Sequence, residues 1–425
     1  MPRLTLSSFR RIIRSGTFIP EIDGLRFIAI TAVVLLHCYA AFVHQVSTDP
    51  TPFACSGQPC SARPRYSSGV LRLIEHGGYG VELFFSISGF ILALPFARQY
   101  LLNCPKVKIR SYFLRRITRL EPPYIIALLI RSALLLASGA QGMKFVTIHL
   151  LASIFYIHNV LFGIASRIEA VSWTLEIEAQ FYCLAPLLAL IFRMSSRWLR
   201  RSLLLIAILG ATPLQRAFLP GWHGPQNAGA FNLSILAAIQ FFLVGLFVAD
   251  LYVDGWDQIP YTPMWDVVSA PLWYLMFWLP PHGFRFFGPL ILPVVFVGAF
   301  KGRLIPRILR NPVITTVGGM CYSIYLTHRT TVSALQIVLA HLHLRFSTWM
   351  ILSLTLGGLS SFVVAAIYFR LVERPCMDPE WPQKLRMRFR FASDSSIPGQ
   401  TMRSESVGAY HDSLERKRSH PMQEI

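Results

Sequence analysis

Charge is what this chain has least of. Only 14% of its 425 residues are Asp, Glu, Lys or Arg, against about 25% in an average soluble chain. So few charges could not cover a water-facing surface of this size, which excludes a soluble enzyme, a secreted module and a disordered chain. Acid is scarcer still, with 21 Asp and Glu against 40 Lys and Arg and a formal net charge of +19. Nucleic acid is the usual partner of such an excess, but no basic stripe continues over a folded domain, so nucleic-acid binding is set aside. No Cys or His spacing resembles a zinc site, and no metal is expected. No internal repeat is visible, and with it goes the inverted-repeat plan common in secondary transporters.

What fills the chain instead is apolar. Hydrophobic residues make up 53% and aromatics 13%, a composition that suits a lipid-facing protein with interfacial aromatic belts. The fold class expected is an all-α, multi-pass integral membrane protein of the cell membrane. A spanning helix takes ~20 apolar residues, and candidates fall at 24–44, 79–97, 120–138, 174–192, 202–219, 232–250, 265–280, 286–300, 313–333 and 349–371. Ten crossings from a cytoplasmic N-terminus return every basic run to one side, as the preference of Lys and Arg for the cytoplasm requires. These runs are Arg10 to Arg14, Arg98 to Arg119, Arg193 to Arg201 and Lys301 to Arg310. Both termini then lie in the cytoplasm. The 251–264 loop fits poorly, since it should be cytoplasmic yet holds Asp254 and Asp257 with no Lys or Arg. The apolar stretch 145–163 would make an eleventh crossing and invert everything downstream, so it reads as re-entrant or interfacial.

Three regions are expected: a basic cytoplasmic N-terminus (1–20), a membrane domain (21–375) and a cytoplasmic, disordered tail (376–425). The first apolar run has a basic flank like a signal peptide. Asp23 and Arg26 at its start and His37 within it favour an uncleaved helix. Of seven Cys, Cys55 and Cys60 lie in the 45–78 loop on the outer side, where a disulfide is expected if that compartment is oxidising.

Ionisable residues within a span are costly and mark functional sites by default. Counting depth along straight spans puts His37, Glu82, Glu178 and His328 at roughly one level in the outer half of the bilayer. Two imidazoles and two carboxylates could supply a general base, an orienting acid and a proton relay. At the cytoplasmic mouth stand Arg26, the Arg115, Arg116 and Arg119 run, and Arg374. Guanidiniums there suit phosphates, which they hold bidentately. Arg26 and His37 are 11 residues apart, a rise of ~16 Å, about the reach of a pantetheine arm. Each residue also has a plainer reading: a histidine bonded to a neighbouring helix, a carboxylate reaching the interface, an arginine that only sets topology. The coincidence of level favours the functional one.

These residues stand in ordered motifs. Ile22-Asp23-Gly24-Leu25-Arg26, followed by Val33-Val34-Leu35-Leu36-His37, resembles the opening of the acyltransferase 3 family of membrane acyltransferases, with its Arg, ten residues and His. Gly80-Val81-Glu82-Leu83-Phe84-Phe85 with Ser88-Gly89-Phe90, the Phe113 to Pro122 stretch, and Ser172-Trp173-Thr174-Leu175 with Glu178, Gln180, Phe181 and Tyr182 are similar to further family blocks. So are Cys321-Tyr322-Ser323-Ile324-Tyr325-Leu326 with His328, and Leu371-Val372-Glu373-Arg374-Pro375. Glu82 replaces the usual Asp, and Glu121 and Ala179 differ from commoner choices. The tail gives no sign of the soluble esterase-like domain appended in some members.

The resemblance implies transfer of an acyl group, usually acetyl, from cytoplasmic acyl-CoA to a hydroxyl of a carbohydrate or small-molecule acceptor, extracytoplasmic or lipid-linked. It implies polysaccharide modification among membrane lipids, with acyl-CoA as donor substrate. The expected catalytic group is His37, Glu82, Glu178 and His328, with Arg26, Arg115, Arg116, Arg119 and Arg374 on the donor. Whether His37 is a base or a transient acyl carrier stays open. The alternative from another class is a proton-coupled secondary transporter of an organic anion or lipid-linked sugar, which intramembrane His, Glu and Arg would serve equally well.

Overall fold

The computed structural model describes residues 18–48, 69–218, 229–342 and 344–378, together with Phe9 and Trp381. Cys55, Cys60 and nearly all of the expected tail lie outside the described residues. The chain divides into two compact units, Met1–Asp378 and Pro379–Ile425, and every helix named below lies in the first. Among the described residues all regular structure is helical.

In chain order the helices are α1 (Pro20–Thr48), α2 (Val70–Glu75), α3 (Gly80–Leu101), α4 (Ile109–Ala137), α5 (Met143–Ile154), α6 (His158–Phe162), α7 (Trp173–Leu188) and α8 (Arg197–Phe218). They continue as α9 (Gly229–Asn232), α10 (Ile239–Val253), α11 (Met264–Trp278), α12 (Pro281–Lys301), α13 (Leu304–Leu309), α14 (Pro312–Gly319), α15 (Cys321–Ala340) and α16 (Phe346–Tyr368). A π-helical turn at Phe369–Glu373 leads into the short α17 (Arg374–Cys376). Local chemistry sets several starts. Pro20 opens α1, where its missing N–H costs nothing, and Glu21 and Asp23 complement the positive end of the helix dipole. Asn311 caps α14 by accepting the Val313 N–H at 2.9 Å.

Among the described residues six helices are long and apolar enough to cross a membrane: Pro20–Gln45, Gly77–Leu101, Ile109–Ala137, Ala170–Arg193, Pro281–Lys301 and Phe346–Cys376. The other four expected spans are helical but fall short for separate reasons. α8 opens with Arg197, Arg200 and Arg201; α10 and α11 have 15 residues each, ~22 Å of rise; and the 313–333 stretch is interrupted at Met320 between α14 and α15. The 145–163 stretch forms two short helices, α5 and α6, parted by Tyr156 at φ 56°. It is no continuous spanning helix.

Helix ends that an alternating threading assigns to one face are in contact. Arg310 pairs with Glu21 at 2.6 Å, joining the entries of α1 and α14. The Asp266 carboxylate at the start of α11 accepts the N–H groups of Arg303, Leu304 and Ile305 at 2.7–3.0 Å, beyond the end of α12. At the opposite ends, His76 Nδ1 and the Tyr79 hydroxyl bond the carbonyls of Phe277 and Leu279. The acidic loop after α10 also finds its explanation. Arg200 and Arg201, which open α8, both pair with buried Asp250, and Arg200 holds Asp254 at 2.6 Å. The basic run neutralises the acids, so the loop needs none of its own.

The two largest apolar clusters of the core meet on α1, and a third, smaller one packs its Tyr39 and Phe42 against Leu339 and Trp349. Ile22, Leu25 and Ala29 join the cluster built on α3, α10 and α12. Ile30, Val34 and Cys38 join the one built on α4, α15 and α16. α3 crosses α10 at close range. A Cβ on Gly89 would lie 2.3 Å from the Phe242 carbonyl oxygen, and one on Gly245 2.3 Å from that of Ser86. Only glycine permits such an approach, as in small-residue helix packing within membranes.

Candidate active site

The faces of α1 left between the two clusters carry Arg26 and His37. Eleven residues are close to three full turns, so the two side chains share a face ~16 Å apart. His37 is half-buried, and fully buried His328 of α15 comes to it across 291 positions of sequence. His37 Nδ1 lies 3.3 Å from His328 Nε2, with the rings edge to face and centroids 4.9 Å apart.

Partners assign the ring protons. His328 Nδ1 lies 3.0 Å from the Ile324 carbonyl and 2.9 Å from that of Tyr325, and a carbonyl only accepts, so Nδ1 carries the hydrogen. In the neutral ring His328 Nε2 is then a lone pair. His37 Nδ1 faces that lone pair and the Val33 carbonyl at 2.9 Å, both acceptors, so it too carries its hydrogen. What remains is His37 Nε2, without a hydrogen-bond partner among the described residues, on an imidazole oriented by a second one. This is the arrangement general-base or nucleophilic catalysis needs.

The carboxylates do not join this pair. Glu178 accepts the Ser88 hydroxyl at 2.5 Å, is hydrogen-bonded to Tyr182, and lies within electrostatic reach of Arg26 and Arg116. Ser88 lies six residues beyond Glu82 on α3, ~9 Å deeper. Glu178 therefore makes its contacts with Ser88, Tyr182 and the arginines, not with the imidazole pair. α7, which carries Glu178, is entered through a 3₁₀ turn at Ala170–Ser172. Glu82 goes elsewhere again. Its charged neighbour is Arg285, and its buried Oε2 has no hydrogen-bond partner among the described residues.

The arginines spread over one rim. Arg26 is paired with buried Asp23 at 2.8 Å. Arg116 stacks 4.0 Å over the Tyr112 ring and 5.7 Å from that of Tyr182, a cation–π sandwich that fixes its plane. Arg115 is exposed. Arg119 Nε and Arg374 Nε are buried with no hydrogen-bond partner among the described residues, and so is Nη1 of Arg370, which the sequence reading missed. A signal for it existed, since Arg370 precedes Arg374 by four residues in the same helical stretch. The π-helical turn and α17 pack against α4, which brings the three arginines to one region. Glu373 of the same motif is fully buried and accepts the Ser323 N–H at 3.1 Å and its hydroxyl at 2.5 Å. It anchors the turn that presents Arg370 and Arg374. Unsatisfied buried guanidinium donors are costly, and phosphate oxygens would satisfy them.

The helices define a multi-pass membrane protein that carries an imidazole pair and a set of buried arginines. A family model described as an acyltransferase domain matches residues 19–370, and the chain belongs to that family, acyltransferase 3, of multi-pass membrane proteins. Among relatives, a Staphylococcus aureus (strain COL) protein whose name marks it as an inferred O-acetyltransferase is 22% identical over 344 residues, 74% of this chain and 51% of that protein. The peptidoglycan O-acetyltransferase OatA of Listeria monocytogenes is 24% identical over 250 residues, 53% of this chain and 34% of its own. The O-acetyltransferase OatA of Staphylococcus aureus (strain NCTC 8325 / PS 47) is 21% identical over 336 residues, 74% and 50% respectively. The chain spans about half the length of the Staphylococcus relatives it matches. No solved structure matches it.

Proposed function

We propose that this protein transfers an acetyl group from cytoplasmic acyl-CoA to a hydroxyl of a cell-envelope carbohydrate. The observation that carries the reading is the Nε2 of His37, backed by His328, ~16 Å along α1 from Arg26. Arg119, Arg370 and Arg374, with Arg26, Arg115 and Arg116 beside them, hold the donor phosphates, and the pantetheine arm carries the thioester up to the imidazole pair. His37 Nε2 takes the proton of the acceptor hydroxyl, whose oxygen bonds to the thioester carbonyl carbon. The carbon–sulfur bond breaks, CoA leaves as thiolate, and the imidazolium returns the proton to sulfur. Glu178, hydrogen-bonded to Ser88 and Tyr182, balances the inner arginines, and Glu82 faces Arg285 outside this path.

The acceptor class follows the Listeria relative, whose name gives peptidoglycan as its substrate. Ten crossings with both termini cytoplasmic accord with the contacts between helix ends, and reporters fused after Pro64 and after Arg390 should report opposite sides. The decisive assay is purified protein in detergent with labelled acetyl-CoA. An acyltransferase binds the donor saturably and releases free CoA when a carbohydrate acceptor is added. A protein that transported its ligand and did neither would overturn the reading in favour of a carrier.

A further inference from the structure

A second imidazole pair, His149 of α5 and His158 of α6, is wired as the first is. Both residues are buried, and His149 Nδ1 lies 2.8 Å from His158 Nε2. His158 Nδ1 lies 3.2 Å from the Ile164 carbonyl, so it carries a hydrogen, and its Nε2 accepts the His149 Nδ1–H. Phe162 packs on both rings, with centroids 4.6 and 4.7 Å away, and Phe145 packs on His149 at 4.2 Å.

The pair closes a strap. Tyr156, at φ 56°, turns the chain between α5 and α6, and the imidazole bond ties the two helices together across that turn. Beyond it the Ser166 hydroxyl meets that of Ser153 at 2.7 Å and accepts the N–H groups of Ile168 and Glu169. The strap ends on α15, beside His328. There the Tyr325 hydroxyl donates to the Val171 carbonyl and meets the Thr174 hydroxyl, while the Tyr325 carbonyl accepts the His328 Nδ1 hydrogen at 2.9 Å.

Protons act on the bond in a set order. The first leaves it intact, because an imidazolium N–H still faces a lone pair. The second places two N–H donors face to face, and Arg167 of the following loop, exposed, stands within electrostatic reach of both rings. The packed neighbours do not offset this. From α4, Glu121 bonds the Tyr156 hydroxyl, Tyr124 donates to the Ser153 carbonyl and Arg131 to that of Ile168. From α7, Glu176 accepts the Asn159 N–H at 2.7 Å. Neither carboxylate bonds a ring among the described residues, α9 brings no titratable group, and Lys144 on α5 is exposed. Burial, with Arg167 beside it, holds the His149 imidazole below its ordinary value of 6.5. Burial, then His149 and Arg167, push His158 down to about 4. The closed pair thus refuses protons that the open rings accept, so its contribution is complete above pH 6.5 and is lost as pH falls from there toward about 4.

We propose that the His149–His158 pair is a proton-sensitive clasp that holds the 155–171 segment on α15 at neutral pH and releases it on acidification. The clasp does not depend on which reaction the protein performs. Hydrogen–deuterium exchange of the full chain in nanodiscs, at pH 8 and pH 5 with rates corrected for intrinsic exchange, tests it. Peptides spanning 155–171 should exchange at least ~10-fold faster at pH 5, while those of α3 and α10 keep their protection and report an intact fold. His158→Gln supplies a carboxamide oxygen that accepts the His149 Nδ1–H at either pH, and should keep the segment protected at pH 5. His149→Phe removes the clasp, and its segment should exchange at one raised rate at both pH values. Equal corrected rates for the wild type at both pH values, an acid-induced rise shared equally by α3 and α10, or a His158→Gln segment that opens at pH 5 as the wild type does, would overturn the proposal.

Discussion

The imidazole pair and the arginine rim are two polar regions of one membrane protein, and they handle their hydrogen bonds in opposite ways. At the pair, both Nδ1 hydrogens and the His328 lone pair are matched within the protein, leaving His37 Nε2 without a partner among the described residues. At the rim, Arg119, Arg370 and Arg374 each keep a buried nitrogen without a partner among the described residues. A group that must do chemistry benefits from fixed orientation, because a misaimed base loses most of its effect. A group that must bind a charged ligand benefits from donors held open, because a donor already satisfied has nothing to offer. The difference separates reaction from holding, and mutations should separate them too.

The largest effect is expected at the pair. Replacing His37 with Ala removes that nitrogen, and turnover should fall ~10²- to 10⁴-fold, read as CoA release with saturating donor and acceptor. Full turnover in that variant would end the distinction between the two regions. His328→Ala should cost less, since the base remains but its orientation is lost.

Next comes the rim. Arg119→Ala should weaken acetyl-CoA binding by ~1.5–3 kcal/mol if its buried nitrogen meets a phosphate, with turnover at saturating donor nearly unchanged. Titration calorimetry measures the first quantity and the saturating rate the second. A drop in saturating rate without a change in affinity would move Arg119 out of the donor site.

A smaller effect sharpens the comparison by asking what presents the rim. Ser323→Ala takes one hydrogen bond from fully buried Glu373 and should destabilise the protein by ~1–3 kcal/mol, seen as a lower thermal midpoint in detergent. Retention of the wild-type midpoint would mean that Glu373 does not anchor the turn carrying Arg370 and Arg374.

The long apolar helices and the shared face of Arg26 and His37 were legible in the sequence, because period and length need no tertiary information. The basic runs also pointed to a rim. The meeting of His37 with His328 was not legible as a contact, since nothing local links residues 291 apart. The partners of Glu178 were not legible for a related reason: depth counted along the chain ignores how far each helix slides against its neighbours. Its bond to Ser88, not to an imidazole, comes from the seating of α7 against α3. The acidic loop after α10 looked like a topological misfit only because its counter-charges, Arg200 and Arg201, lie some 50 residues earlier.

The separation of reaction from holding is tested most directly by equilibrium binding of acetyl-CoA to four proteins: the wild type, His37→Ala, Arg374→Ala and the double variant. Residues that do not touch and share no partner should act independently. The account predicts a wild-type dissociation constant for His37→Ala, a raised one for Arg374→Ala, and the same raised value for the double variant. A His37→Ala protein that loses acetyl-CoA as badly as Arg374→Ala would contradict it.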